Sequence, residues 1–263
     1  YNGLAELNSC QLDQARYGEN HKGELVMIFV TEDFLIDKQV KKESSTDEDV
    51  VSVLKMNMDR EFTTGIYDYS MMSSVFTPIT EHKWQQPIKV TTSSQEWCGH
   101  SWTQLNQMAS GYHIDQYSYF EAENDQEFEI DDVLIEDGIW NQIRLDPSRI
   151  DTGKALMFPS TQYIRFAHID SKPYEVDINK AKYLGTDMPG EKLRSIILEY
   201  PSLKRRVEII YEAVYPHMIA GWKDAREKNG VVTIAKRKSS LRLDYWNKNS
   251  IQDSIFRDSL KLK

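Results

Sequence analysis

The sequence predicts a mainly β chain, a curved antiparallel sheet or partly open β-barrel with two or three helices. Three observations predict it. Most segments are short runs rich in Val, Ile, Thr, Tyr and Phe, the composition of half-buried strands. Turn signals separate these runs at the intervals of an antiparallel meander. The runs number roughly eleven, more than a flat sheet holds comfortably, so the sheet must curve or close. The 263 residues carry no fixed-period repeat and no Gly-, Ser- or Pro-rich linker, which makes residues 1–263 a single β-rich domain.

The elements follow in chain order. Residues 6–17 and 24–34 read as strands flanking the turn-rich stretch Gly18-Glu-Asn-His-Lys-Gly23, a hairpin signal. Strands are expected at 50–59, 62–77, 88–96, 101–107 and 112–120, with Met108-Ala-Ser-Gly111 as a turn. Asp131 and Asp132 ahead of Val133, Leu134, Trp140 and Ile143 predict a helix running to Arg144. Further strands are expected at 162–168, 192–200 and 205–213, the last two hinged at Pro201-Ser-Leu-Lys204. A second helix is expected over 215–228, with Pro216 early and Gly230 at its stop. A pair of strands at 231–236 and 241–246 precedes a short helix at 251–260, where Ile251, Ile255 and Phe256 share a face.

Composition narrows the function classes. With 40% hydrophobic and 28% charged residues the chain is an ordinary globule, and no apolar run approaches a membrane-spanning helix. Its net charge of −9 argues against nucleic acid, which requires clustered cations. Residues 191–263 nevertheless hold 16 Lys and Arg against 9 acids, so acidic and basic elements are expected to pack beside one another. Two cysteines, Cys10 and Cys98, allow at most one bridge and are read equally well as free thiols. The chain opens Tyr1-Asn2-Gly3 without Met, and an upstream segment removed before this point is expected.

Chemical motifs are sparse. Trp97-Cys98-Gly99-His100-Ser101 resembles the active-site string of protein disulfide isomerases, but Ser101 stands where the resolving thiol belongs and β patterns surround it, so a hairpin is the reading. Glu121, Glu123, Asp125, Glu127, Glu129 and Asp131 alternate with other residues, which in an extended chain puts six carboxylates on one solvated, edge-protecting face. The six histidines include no pair at helical metal-ligand spacing, so no metal site is assigned. Phosphate-loop, dinucleotide, nucleophile-elbow and His-Glu-x-x-His motifs are absent, and no cofactor is implied. The catalytic candidates are Glu96, His100 and His113, which a hairpin turning at 108–111 could gather. Aromatics crowd one stretch: Trp84, Trp97, Trp102, Tyr112, Tyr117, Tyr119 and Phe120. They read as core, or as a pocket if inward, or as a stacking platform if outward. Trp97, Trp102, Tyr117 and Tyr119 are the ligand-binding candidates.

Five segments carry a resemblance: Tyr1-Asn-Gly-Leu-Ala-Glu-Leu-Asn8, Gln14-Ala-Arg-Tyr-Gly-Glu19, Phe29-Val-Thr-Glu-Asp-Phe34, Gln95-Glu-Trp-Cys-Gly-His100 and Tyr245-Trp-Asn-Lys-Asn-Ser250. Together they resemble a family of uncharacterised exported or lipid-anchored Gram-negative envelope proteins often labelled septum-formation inhibitor. The label's own activity is not carried over. Septum-formation inhibitors proper are nucleotide pyrophosphatases with a Ser-x-Ser-Pro-Arg-Arg loop near the N-terminus, and the Arg pair here is Arg205-Arg206, within an expected strand. The resemblance implies export across the inner membrane, with a leader removed upstream of Tyr1, and a peripheral location in the periplasm or at the outer membrane, where a lipid anchor is one means of attachment.

The expected function is therefore a non-catalytic envelope binding or scaffold module that holds an acyl chain or other hydrophobic ligand in the concave face of its sheet. The alternative is an envelope hydrolase acting on a glycan or peptide through Glu96, His100 and His113. A third class, docking to an envelope protein partner, requires an exposed apolar patch.

Overall fold

Alternation dictates the first half of the chain. In β1 (Ala5–Arg16), β2 (Glu19–Leu35), β4 (Val50–Thr64), β5 (Tyr67–Pro78), β6 (Lys89–Glu96), β7 (Gly99–Met108), β8 (Gly111–Ser118) and β9 (Gln126–Asp131), each strand pairs antiparallel with the one before it; the two-residue β3 (Val40–Lys41) pairs only with the end of β2. In the second half β10 (Leu134–Ile135) pairs parallel with β11 (Gly153–Phe158), and the antiparallel scheme then resumes through β12 (Tyr174–Lys182), β13 (Leu193–Tyr200), β14 (Arg205–Glu212), β15 (Ile219–Arg226) and β16 (Val232–Leu243). These elements belong to a computed structural model that describes residues 3–43, 49–80, 86–226 and 230–262.

One pairing joins the halves. β16 lies antiparallel to β1, with Ala5 opposite Leu243 and Asp13 opposite Ile234, so all sixteen strands form one sheet with β9 and β10 as its edges. Only Asp132 and Val133 separate those two strands in sequence. Three peptide steps reach at most roughly 11 Å, so the two edges of a sixteen-stranded sheet must approach one another. The sheet wraps round on itself while remaining open, the curved, partly open barrel that the strand number demanded.

Two helices occupy the interior. α1 (Ile139–Leu145) sends Asn141 Nδ2 to Leu54 O at 2.9 Å and Thr77 Oγ1 at 3.0 Å, Trp140 edge-on to Trp222 at 4.9 Å, and Arg144 Nη2 to Glu6 Oε2 at 2.6 Å. It therefore touches β4, β5, β15 and β1 at once. α2 (Thr161–Ala167) is just as enclosed: Gln162 Nε2 donates to Ser73 Oγ at 3.0 Å, and Arg165 binds Glu96 of β6. A single apolar cluster runs from Cys10 and Met56 through Trp140, Phe158 and Ile164 to Ile209 and Trp222. A third, short helix, α3 (Ile255–Ser259), closes against β1, where Ser9 Oγ donates to Leu260 O.

Several expected elements change. The first hairpin turns at Tyr17-Gly18, both at positive φ (53° and 84°), the two-residue turn that suits strand twist. Gly23 instead lies inside β2, where a Cβ would sit 2.3 Å from Glu61 O and 2.7 Å from Phe62 Cβ. The helix expected to run to Arg144 begins only at Ile139, after β10 and a 3-10 turn. The strand expected at 162–168 is α2: residues 161–166 are all buried, so no amphipathic period marks the helix. The helix expected over 215–228 is a turn followed by β15, because the apolar run Ile219-Ala-Gly-Trp222 is buried between β14 and β16; residues 227 and 228 lie outside the described ones. The two last strands are the single β16, and β11 and β12 had no expected counterpart. In the C-terminal helix the shared face of Ile251 and Ile255 is exposed, and Leu260 is the buried residue.

Ion pairs join the acidic residues 1–190 to the basic residues 191–263, as expected: Arg205 to Glu136 at 2.6 Å, Lys223 to Asp187 at 3.0 Å and Lys238 to Glu24 at 2.6 Å.

Candidate functional site

The proposed catalytic trio is dispersed. Glu96 is the last residue of β6 and faces inward, ion-paired to Arg165. His100 and His113 lie on the outward face of β7 and β8. In register His113 stands opposite Asn106, six residues from His100, or roughly 20 Å along the strand. One carboxylate inside the barrel and two distant histidines outside it cannot share a proton with one substrate. His113 instead faces Asp115 Oδ1 at 3.4 Å and Glu127 Oε1 at 3.6 Å. These three side chains place their ligand atoms within 4.8 Å of one another, a trio the sequence reading missed because its members sit on two adjacent strands.

The acidic row is broken too. Residues 121–125 turn before β9, and Glu123 swings to Arg165 Nη1 at 3.2 Å and His168 Nδ1 at 2.7 Å; Glu127, Glu129 and Asp131 remain on the edge strand. Cys10 is buried on β1, where burial pushes its thiol up to about 12, and Cys98 is exposed in the β6–β7 turn, so both are free and Trp97-Cys-Gly-His-Ser101 is a hairpin.

Of the aromatic candidates, Trp102 and Tyr117 are direct cross-strand partners on the outer wall. With Tyr119 and His100 they line an open depression of about 410 Å³. Trp97 stands apart, its ring 6.4 Å from Tyr67 at the β6–β7 turn. These four residues are neither core nor lining of the concave face; three form an outward platform. Trp84 and His82 lie outside the described residues.

The concave face holds two other cavities, one at each end of the barrel with α1 between them. The larger, of about 910 Å³, is walled by Ile79, Leu134, Ile139, Leu145, Ile150 and Ile178 and rimmed by Arg149, Lys154 and Tyr215. Its volume falls in the range of roughly 300–1,000 Å³ typical of small-molecule sites. No alternation signals it, because its lining comes from β2, β5, β11, β12 and α1 together.

The smaller cavity, of about 280 Å³, lies where β1, β4, β14 and β15 meet α2. Four arginines line it: Arg16, Arg60, Arg205 and Arg226. Arg205 forks onto Glu136 (2.6 and 2.7 Å) and also meets Asp224 at 2.8 Å, while the Tyr200 hydroxyl donates to Glu136 at 2.7 Å. Asp137 accepts the Thr161 N–H and hydroxyl, both at 2.9 Å, and burial, with Glu136 beside it, pushes its carboxyl above the usual range. Tyr17, Tyr67 and Tyr69 form a hydroxyl chain at the rim, with Tyr17 to Tyr69 at 2.8 Å and Tyr67 to Tyr17 at 2.9 Å.

No described protein family matches the chain, and no curated protein matches it. Among solved structures it is similar to the crystal structure of a beta-barrel-like protein of domain of unknown function DUF1849 from Brucella abortus. The two are 7% identical, with 91% of this chain and 97% of that chain covered, at a TM-score of 0.49.

Proposed function

We propose that this chain is a non-catalytic binding module that holds a hydrophobic ligand, an acyl chain being the first candidate, in the 910 Å³ cavity at the apolar end of its barrel. The observation that carries the reading is that cavity's wall of isoleucine and leucine side chains inside a wrapped sheet. Removing a chain of methylenes from water is worth about 0.8 kcal/mol for each one buried. The rim also carries Asp151 and the Arg149–Asp146 pair at 3.4 Å, which leaves Lys154 as the cation offered to the acidic head of an amphiphile. The resemblance carried by the five segments between Tyr1 and Ser250 supports work in the cell envelope after export, as a peripheral protein with lipid or protein partners.

The test is a displacement titration. The protein should enhance the fluorescence of 1-N-phenylnaphthylamine, and palmitate should displace the dye. Ala155→Trp, which places an indole in the cavity, should weaken palmitate at least tenfold with an unchanged far-ultraviolet circular dichroism spectrum. Absence of saturable binding to the wild type, or equal binding to Ala155→Trp, overturns the reading. Purification from the envelope fraction after synthesis with the protein's own leader, followed by native mass spectrometry, checks export and any retained lipid.

A further inference from the structure

The arginine-lined cavity contains more cationic donors than its own acids employ. Glu136 and Asp224 are both engaged by Arg205, and Asp137 by Thr161. Among the described residues, Arg60 meets only neutral acceptors: its Nη1 donates to Gln14 Oε1 at 3.0 Å, and its guanidinium lies 5.6 Å from the Phe166 ring. Arg60 is 9% exposed, and its Nε is buried with no partner. Arg16 donates to Phe166 O at 2.7 Å and to tyrosine hydroxyls, and its Nε is likewise buried and unpartnered. Arg226 lies over the Tyr163 ring at 4.3 Å.

Asp224 and Asp137 act on Arg60 only from a distance, and a buried guanidinium that makes no ion pair of its own is costly to keep. Burial lowers the Arg60 pKa to about 10, which still leaves it charged at neutral pH. Four arginines face three carboxylates around this space, so the lining is cationic even with every acid ionised. The lining has one more orphan of the opposite kind: Gln162 gives its amide N–H to Ser73 and leaves Oε1 buried with no donor. Three guanidinium groups ask for an oxyanion, and the carbonyl asks for a hydroxyl. At about 280 Å³ the space is below the usual range for drug-sized ligands.

We infer that this end of the barrel is a second binding site, for a small hydroxylated oxyanion held by Arg60, Arg16 and Arg226 with its hydroxyl on Gln162. The carboxylate of a hydroxy acid and the phosphate of a sugar or polyol ester share that chemistry. The site is independent of the apolar cavity, since α1 stands between them.

Calorimetric titration of the intact protein in low-salt buffer tests this, with glycerol 3-phosphate, D-gluconate, inorganic phosphate and glycerol as probes. Either hydroxylated anion should bind one to one and alter the emission of Trp140 and Trp222, which line the cavity, whereas glycerol should not bind. Preference between glycerol 3-phosphate and gluconate identifies phosphate or carboxylate as the head group. Arg60→Met should lose at least tenfold in affinity. Arg226→Gln, at the partly exposed mouth, should lose severalfold and decides the matter if Arg60→Met fails to fold. Palmitate should not compete. No saturable binding of any anion at 10 mM, or undiminished binding in the variants, overturns the inference.

Discussion

The two ends of the barrel interior share β5 and α1 and yet differ in their chemistry. β5 contributes Ser73 to one cavity and Thr77 and Pro78 to the other; α1 turns Trp140 toward the first and Ile139 and Leu145 toward the second. At the apolar end, the wall of Ile79, Leu134, Ile139, Leu145, Ile150 and Ile178 loses only dispersion contacts by facing the cavity, and the charged groups stand at its rim. At the arginine end, the cavity faces four guanidinium groups and the unpartnered Gln162 Oε1, so the polar wall selects an occupant by charge and hydrogen bonding where the apolar wall selects by burial alone.

The largest expected effect contrasts two buried arginines. Arg205→Ala strands Glu136 and Asp224 without their cation and should cost about 3–5 kcal/mol in chemical denaturation. Arg60→Met removes a buried cation that makes no direct ion pair among the described residues, so it should leave the melting temperature unchanged or raised. Equal losses in the two would erase the distinction between a structural arginine and a ligand-facing one.

A smaller difference separates the two faces of α1. Ile143, fully buried in packed core, should cost about 3–4 kcal/mol as Ile143→Ala. Ile139 is 1% exposed but borders the large cavity and has fewer contacts to lose, so Ile139→Ala should cost about 2 kcal/mol. Urea melts of the pair measure this directly, and the reverse order would mean that the cavity is filled in solution.

The smallest effects are in pH dependence, where an inner and an outer carboxylate oppose one another. Asp187 is held down to about 2 by the Tyr183 hydroxyl, with Lys223 adding to it at 3.0 Å. Its folded pKa lies below its ordinary 3.8, so its contribution is complete above about pH 4 and is lost as pH falls through about 2. Asp187→Asn should flatten that acid limb. Asp137 is raised by burial, so the folded state binds its proton more tightly and stability falls as pH rises from 3.8 to its elevated value. Asp137→Asn should remove that decline. Thermal melts across pH 2–7 separate the two signs.

Local pattern made much of the wall legible. β5 alternates, with Tyr69, Met71 and Val75 turned inward, and Pro201 to Lys204 marks the turn between β13 and β14. α2 was illegible for a physical reason: a helix buried on every side has no polar face, so Gln162-Tyr-Ile-Arg165 reads equally well as a strand. The candidate site was less legible still. Glu96, His100 and His113 lie close in sequence, but strand pleat sends them to opposite faces, and register separates the histidines. Trp102 and Tyr117 do meet, as cross-strand neighbours on the outer wall. The cavities draw on residues from Gln14 to Thr233 and from Thr31 to Tyr215, a span no window can see.

The sequence by itself determined the β class, the antiparallel meander and the pairing of an acidic majority with a basic C-terminal stretch, because these depend on side-chain period and on local turn chemistry. Only the tertiary structure decided that β16 pairs with β1, that two helices fill the barrel, and that among the described residues Arg205 is ion-paired to two acids while Arg60 is ion-paired to none. Those outcomes depend on which distant side chains share a buried space, and the electrostatic cost of a buried charge is set by its neighbours there, not by its neighbours along the chain.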